Sequence, residues 1–221
     1  KINVPKAKFE TDNNVLQASG TANDNVKVQA VKVRVNGGMW QDAIVGGTPV
    51  SATWTAALNL AAGTNYVEAK AIDSSANEST IVGPIQCFLK VPGTLVVNTA
   101  GSGTGTVVTN VTADKLFVGR GGYKVTATPA PGCLFSNWLA SVDGGPTTVV
   151  SAVKDYTFTM FTNVTLTANF VTNSFQAAAG VYNGLVEGVG GAAHPNSGFF
   201  TLKVDSKQKF SGSLYVDGDK V

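Results

Sequence analysis

Apolar side chains recur at every second position along this chain, and nowhere do they hold an i, i+3, i+4, i+7 spacing over three turns. That pattern predicts strands buried on one face and no long helix. Val31, Val33 and Val35 share one parity, and Asn36-Gly37-Gly38 then turns the chain toward Met39-Trp40. Val26 and Val28 have the opposite parity to Val31, so a bulge or turn is required near Gln29-Ala30. Trp54, Ala56, Leu58 and Leu60 alternate next, Gly63-Thr64-Asn65 is read as a reversal, and Val67, Ala69 and Ala71 point inward on the return. Asp73-Ser74-Ser75-Ala76-Asn77 is turn-rich, and Ile81 to Leu89 supplies a closing strand. Short strands with turn signals every eight to twelve residues suggest a sandwich.

Pro92-Gly93 interrupts the pattern, because proline lacks the N–H that continues a ladder. Alternation resumes at Tyr123, Val125 and Ala127, at Tyr156, Phe158 and Met160, and at Val164, Leu166, Ala168 and Phe170. After Thr172-Asn173-Ser174 a glycine-rich stretch leads to Phe210, Gly212, Leu214 and Val216, with Asp217-Gly218 as a hairpin signal. The expected architecture is all-β: tandem small β modules over 1–91, 92–172 and 173–221, the third a partial β segment with an open edge. The chain starts at Lys1 without Met, which reads as a mature form or an excised fragment whose export signal is out of view.

Composition narrows the class. Of 221 residues 14% are charged, against roughly 25% in an average soluble protein, and the 16 Lys and Arg are scattered at a net charge of +2. No basic stripe for nucleic acid is present, and no apolar run reaches the roughly 20 residues of a membrane span. Thr, Val, Ser, Asn and Gly fill the remainder, as expected of pleated surfaces and tight turns.

Two stretches resemble known families. Gly20-Thr21-Ala22-Asn23-Asp24-Asn25, Val33-Arg34-Val35-Asn36-Gly37-Gly38-Met39-Trp40 and Gly63-Thr64-Asn65-Tyr66-Val67-Glu68-Ala69-Lys70-Ala71-Ile72-Asp73, followed by Asn77-Glu78-Ser79, resemble the bacterial immunoglobulin-like repeats over about 8–91. Val125-Thr126-Ala127-Thr128-Pro129, Gly132-Cys133-Leu134-Phe135-Ser136-Asn137-Trp138, Tyr156-Thr157-Phe158-Thr159-Met160 and Asn163-Val164-Thr165-Leu166-Thr167-Ala168-Asn169-Phe170 resemble the divergent B-repeat of internalin-type surface proteins over about 94–171. Cys133 departs from that family, which more often places an aromatic residue there. Residues 175–221 are similar to C-terminal β-meander repeats of large secreted bacterial proteins. These resemblances imply an Ig-like β-sandwich followed by a B-repeat-like domain, an extracellular or cell-surface location, tandem arrangement and no catalysis.

Candidate chemistry is sparse. The one histidine, His194, lies in a Gly-Ala-Pro-Asn context with no second histidine for a relay or metal site. Most Asp and Glu fall in turn-like contexts. Asp24, Asp73 and Asn77 could hold calcium at loop ends of the first module, the alternative being that they cap their own turns. Cys87 and Cys133 are read as two buried free thiols in separate modules, or as a bridge between the first two. Trp54 and Trp138 have core parity, whereas Trp40, just past a turn, is the candidate sugar platform. No cofactor is expected apart from calcium. The chain is expected to be no enzyme but a structural or adhesive unit, a stalk, spacer or filament piece partnered by other modules, neighbouring subunits or glycans. The second reading is a carbohydrate-binding accessory region of a larger secreted enzyme.

Overall fold

The computed structural model describes residues 1–188, 197–206 and 209–221. It is nearly all β, with several separate sheets. Nine strands make the first unit: β1 (Ile2–Val4), β2 (Phe9–Thr11), β3 (Val15–Asn23), β4 (Val28–Val35), β5 (Gln41–Asp42), β6 (Ile44–Thr48), β7 (Ser51–Asn59), β8 (Gly63–Asp73) and β9 (Val82–Leu89). They form a four-stranded sheet, β1-β3-β7-β6, and a five-stranded sheet, β2-β9-β8-β4-β5. Leu16, Ala18, Val31, Val33, Trp54, Leu58, Val67, Cys87 and Leu89 close the core between them. Each fully buried large apolar side chain contributes about 1.5–3 kcal/mol, so the inward parity of β3, β4, β7 and β8 fixes their register.

Local signals behave as their chemistry requires. The parity slip between Val28 and Val31 is a register irregularity between Val28 and Ala30 where β4 pairs with β8. Asn36 and Gly37 both adopt positive φ, 53° and 68°, the combination a two-residue turn of the twisted hairpin type needs. The reversal expected at Gly63-Thr64-Asn65 lies one step earlier. β8 already begins at Gly63, and Asn65 is a fully buried strand residue.

The second unit comprises β10 (Thr94–Ala100), β11 (Gly105–Thr109), β12 (Tyr123–Pro129), β13 (Cys133–Val142), β14 (Thr148–Ser151), β15 (Asp155–Phe158) and β16 (Asn163–Thr172). Sheets β10-β16-β13-β14 and β11-β12-β15 enclose Tyr123, Val125, Trp138, Phe158, Met160, Leu166 and Phe170. Trp138 is fully buried, and its indole N–H donates to Lys154 O at 3.1 Å. In both units a strand near the N-terminus pairs in parallel with the last strand, β2 with β9 and β10 with β16.

Among the described residues two short helical turns interrupt the strands, Ala113–Lys115 and α1 (Ser174–Ala177). The sequence gives no amphipathic period for either, since one turn is too short to show one. Asn173 caps α1 by accepting from Phe175 N. Beyond it β17 (Gly180–Val186), β18 (Gly198–Val204), β19 (Phe210–Val216) and β20 (Asp219–Lys220) form one antiparallel meander in chain order. Asp217-Gly218 makes its last turn. None of its described residues is buried.

Candidate functional site

The fold gathers Asp24, Asp73 and Asn77 around one open cleft of about 220 Å³ at an end of the first unit, with Glu78 beside them. Both Asp73 carboxylate oxygens and one of Asp24 are already engaged. Asp73 Oδ1 accepts from Ser75 N and Asn77 N, and Oδ2 accepts from Asn77 Nδ2, all at 2.8 Å. Those hydrogen bonds, the Asn77 amide first, hold the Asp73 carboxyl below its ordinary value. Asp24 Oδ1 accepts from Val26 N and Lys27 N at 2.8 and 2.7 Å. Each carboxylate therefore organises its own loop. Among the described residues no three His, Cys, Asp or Glu gather in a metal-binding group.

Trp40 is half-buried on the outer face of the five-stranded sheet. Arg34 Cζ lies over its ring at 4.4 Å and Lys70 Nζ at 5.0 Å. Each cation has its own carboxylate, Arg34 with Glu68 and Lys70 with Glu78, both at 2.6 Å. The indole is thus enclosed in a charge network, and a sugar ring stacking there would have to displace a desolvated cation. The two sheet-core tryptophans, Trp54 and Trp138, are buried.

Cys87 and Cys133 are both free in the structure. Cys87 sits in the first core, where burial pushes its thiol up. Cys133 is only half-buried, at the start of β13 in the second unit, with Thr104 N donating to its sulfur at 3.3 Å. His194 lies outside the described residues.

Two features escaped sequence reasoning. Asn65 Oδ1 accepts from Ala61 N at 2.9 Å and Asn36 Nδ2 at 3.0 Å, while its own amide donates to Ala61 O and Gly63 O at 2.7 and 3.0 Å. It ties two turns of the first core together. Arg120 spans the first two units. Its Nη2 donates to Glu10 Oε1 at 2.6 Å, and its guanidinium lies 4.5 Å from the Phe88 ring and 5.3 Å from Phe117. Beneath it Gly63 faces Gly119, each too close to the other's backbone for a Cβ to fit comfortably. The connection at 91–93 is itself paired, with Val118 N donating to Val91 O and Gly93 N to Leu116 O, both at 2.9 Å. The parity of Asn65 with Val67 and Ala69 was a usable signal; for Arg120, 110 residues from its partner, there was none.

The meander carries an uncovered apolar face. Its register puts Tyr182, Val186, Phe200, Leu202, Val204, Phe210, Leu214 and Val216 on one side, interleaved with Gly180, Gly184, Gly198 and Gly212. The Phe200 ring occupies the space a Cβ on Gly184 would take. Phe199 and Tyr215 stack on the opposite face, centroids 4.7 Å apart.

In the second unit Phe135 packs against Trp138 and Phe170, 5.7 and 6.0 Å between centroids, and Tyr156 stacks on Phe158 at 6.1 Å. Residues 93–174 match the divergent InlB B-repeat domain. Every aromatic residue of that cluster falls within the B-repeat match, which begins at the Pro92-Gly93 break and ends at the Thr172-Asn173-Ser174 step. No curated protein matches the chain. A solved structure of the fibronectin(III)-like modules of Clostridium thermocellum CbhA aligns over 98% of this chain and 92% of that one, at 14% identity and a TM-score of 0.30. That likeness is too loose to bear on the fold. No helix among the described residues is long and apolar enough to cross a membrane.

Proposed function

We infer that this chain is a non-catalytic structural or adhesive stretch of an extracellular bacterial surface protein, a stalk, spacer or filament unit, built from modules over 1–91, 92–172 and 173–221. The observation that carries the reading is the succession of two separate hydrophobic cores, each enclosed by its own pair of sheets and joined through residues 91–93. A protein selected for reach repeats small closed cores along its length, whereas one selected for chemistry invests in a concave site with convergent polar groups. The B-repeat match over the second unit supports the same assignment and the extracellular location. The immunoglobulin-like reading of the first unit fits a sandwich of four and five strands.

Partners on this reading are proteins, other modules or neighbouring subunits. The apolar face of the meander supports this, because a single sheet with one uncovered apolar side is complete only against a second layer. The carbohydrate-binding alternative depends on Trp40, whose ring is occupied by Arg34 and Lys70. A glycan array probed with the whole chain decides between them. A blank array is the expected result; a glycan bound by the wild type and lost in Trp40→Ala would replace this reading with the carbohydrate-binding one.

A further inference from the structure

Load applied to the ends of a module enters at the N-terminal end of its first strand and leaves from the C-terminal end of its last. In the second unit those two strands are neighbours and run the same way; in the first, load crosses β1, held antiparallel to β3, before it reaches β2, which runs parallel to the last strand beside it. In the first, Phe9, Glu10 and Thr11 of β2 pair with Cys87, Phe88 and Leu89 of β9. Lys8 N donating to Gln86 O and Lys90 N to Thr11 O extend this contact by a bond at each end. In the second, seven consecutive residues of β10, Thr94 to Ala100, pair with Asn163 to Asn169 of β16.

Tension on such a pair slides one strand along the other. The interstrand hydrogen bonds of a parallel pair are evenly spaced and slanted between the strands rather than lined up along the pull, so sliding strains them together and none yields before its neighbours. An antiparallel hairpin pulled open from its free end gives way one bond at a time. The clamp of the second unit is also backed by core. Leu95 and Val97 of β10 pack against it, and Val164, Leu166 and Ala168 of β16 are buried, so water reaches the loaded bonds from one side only. The meander is built the other way. Its strands run in chain order, β17 and β20 sit on opposite edges, and every pair is antiparallel, so tension peels it strand by strand.

We propose that the first two units are shear clamps of unequal strength, graded so that under tension the meander opens first, the first unit next and the B-repeat-like unit last. With seven paired residues against three and a flanking bond at each end, the last clamp ruptures at about 1.4 times the force of the first, in proportion to the contacts loaded at once. That the clamps serve a load-bearing stalk rests on the function proposed above; their mechanics do not.

Single-molecule pulling of the whole chain through handles at its two ends tests this. Ten flexible residues inserted at Gly144, in the exposed Asp143–Gly145 turn, mark the second unit by lengthening its extension step by about 36 Å. The expected trace has the marked step last, at about 1.4 times the force of the step before it. The same chain is then pulled through azido-residue handles at positions 100 and 172, the C-terminal ends of β10 and β16. That geometry unzips the pair, and the rupture force should fall several-fold. A marked step that comes at or before the other, or equal forces in the two geometries, overturns the proposal. A sugar bound at Trp40 would leave these forces unchanged, so failure of the clamp and failure of the stalk reading are told apart.

Discussion

Replacing Asn65 by alanine removes four hydrogen bonds from a side chain with no solvent exposure. Their former partners fare differently. Asn36 and Ala61 are exposed and recover water, whereas Gly63 is buried and its carbonyl loses a donor outright. A buried polar group left unsatisfied costs about 1–3 kcal/mol, and each exchanged bond about 1, so the variant should lose about 3 kcal/mol. Native-state hydrogen exchange reads this directly. The strand amides of Leu58 and Val67 should lose roughly 100-fold in protection, each 1.4 kcal/mol being tenfold. Asn65→Asp sharpens the test. An ionised carboxylate would face the carbonyls of Ala61 and Gly63 with no proton to donate, so the folded state raises its pKa. Stability is then retained below the unfolded value near 4 and lost as pH rises through the folded pKa. A loss under fivefold in Asn65→Ala, or an Asn65→Asp variant more stable at pH 7 than at pH 4, would refute the assignment of Asn65 as the pin of the first core.

Other substitutions probe the remaining contacts. Trp138→Phe gives up the bond to Lys154 O and part of the indole volume, and should lower stability by about 2 kcal/mol in urea titration of the second core. Asn77→Ala removes the first cause of the depressed Asp73 pKa, so the carboxyl carbon of Asp73 should titrate closer to its ordinary value by NMR. The stability its turn confers is lost as pH falls from the unfolded pKa through the folded one, and in the variant that loss should be smaller and complete at higher pH. Thiol titration should find Cys133 reactive in the native protein and Cys87 only in denaturant; no reactive thiol in either state would reveal a disulfide instead.

How much of this was legible follows from the range over which each interaction acts. Parity within a strand is local, so the inward faces of β4, β7, β8 and β12, the slip at Val28–Ala30 and the burial of Trp54 and Trp138 could all be read from neighbours. Turn chemistry is local too, as Asn36-Gly37 and Asp217-Gly218 show. What could not be read is pairing across distance. Parallel pairing of β10 with β16 joins residues nearly a module apart and has no turn to announce it. The convergence of Asp24 with Asp73 and Asn77 was expected only in outline, and sequence could not say that each carboxylate would be spent on its own loop. Trp40 shows the limit most plainly. Its position past a turn left the side chain open to either role, and what decides its surroundings is Lys70, 30 residues away on another strand.

A stalk or spacer requires the cores to be separate bodies set in series. Small-angle X-ray scattering of the whole chain tests this most directly, since a single globule of 221 residues has a radius of gyration of roughly 17 Å. A value well above that, with a rod-like cross-section regime in the scattering curve, is the predicted result. A value near 17 Å with a globular profile would contradict it.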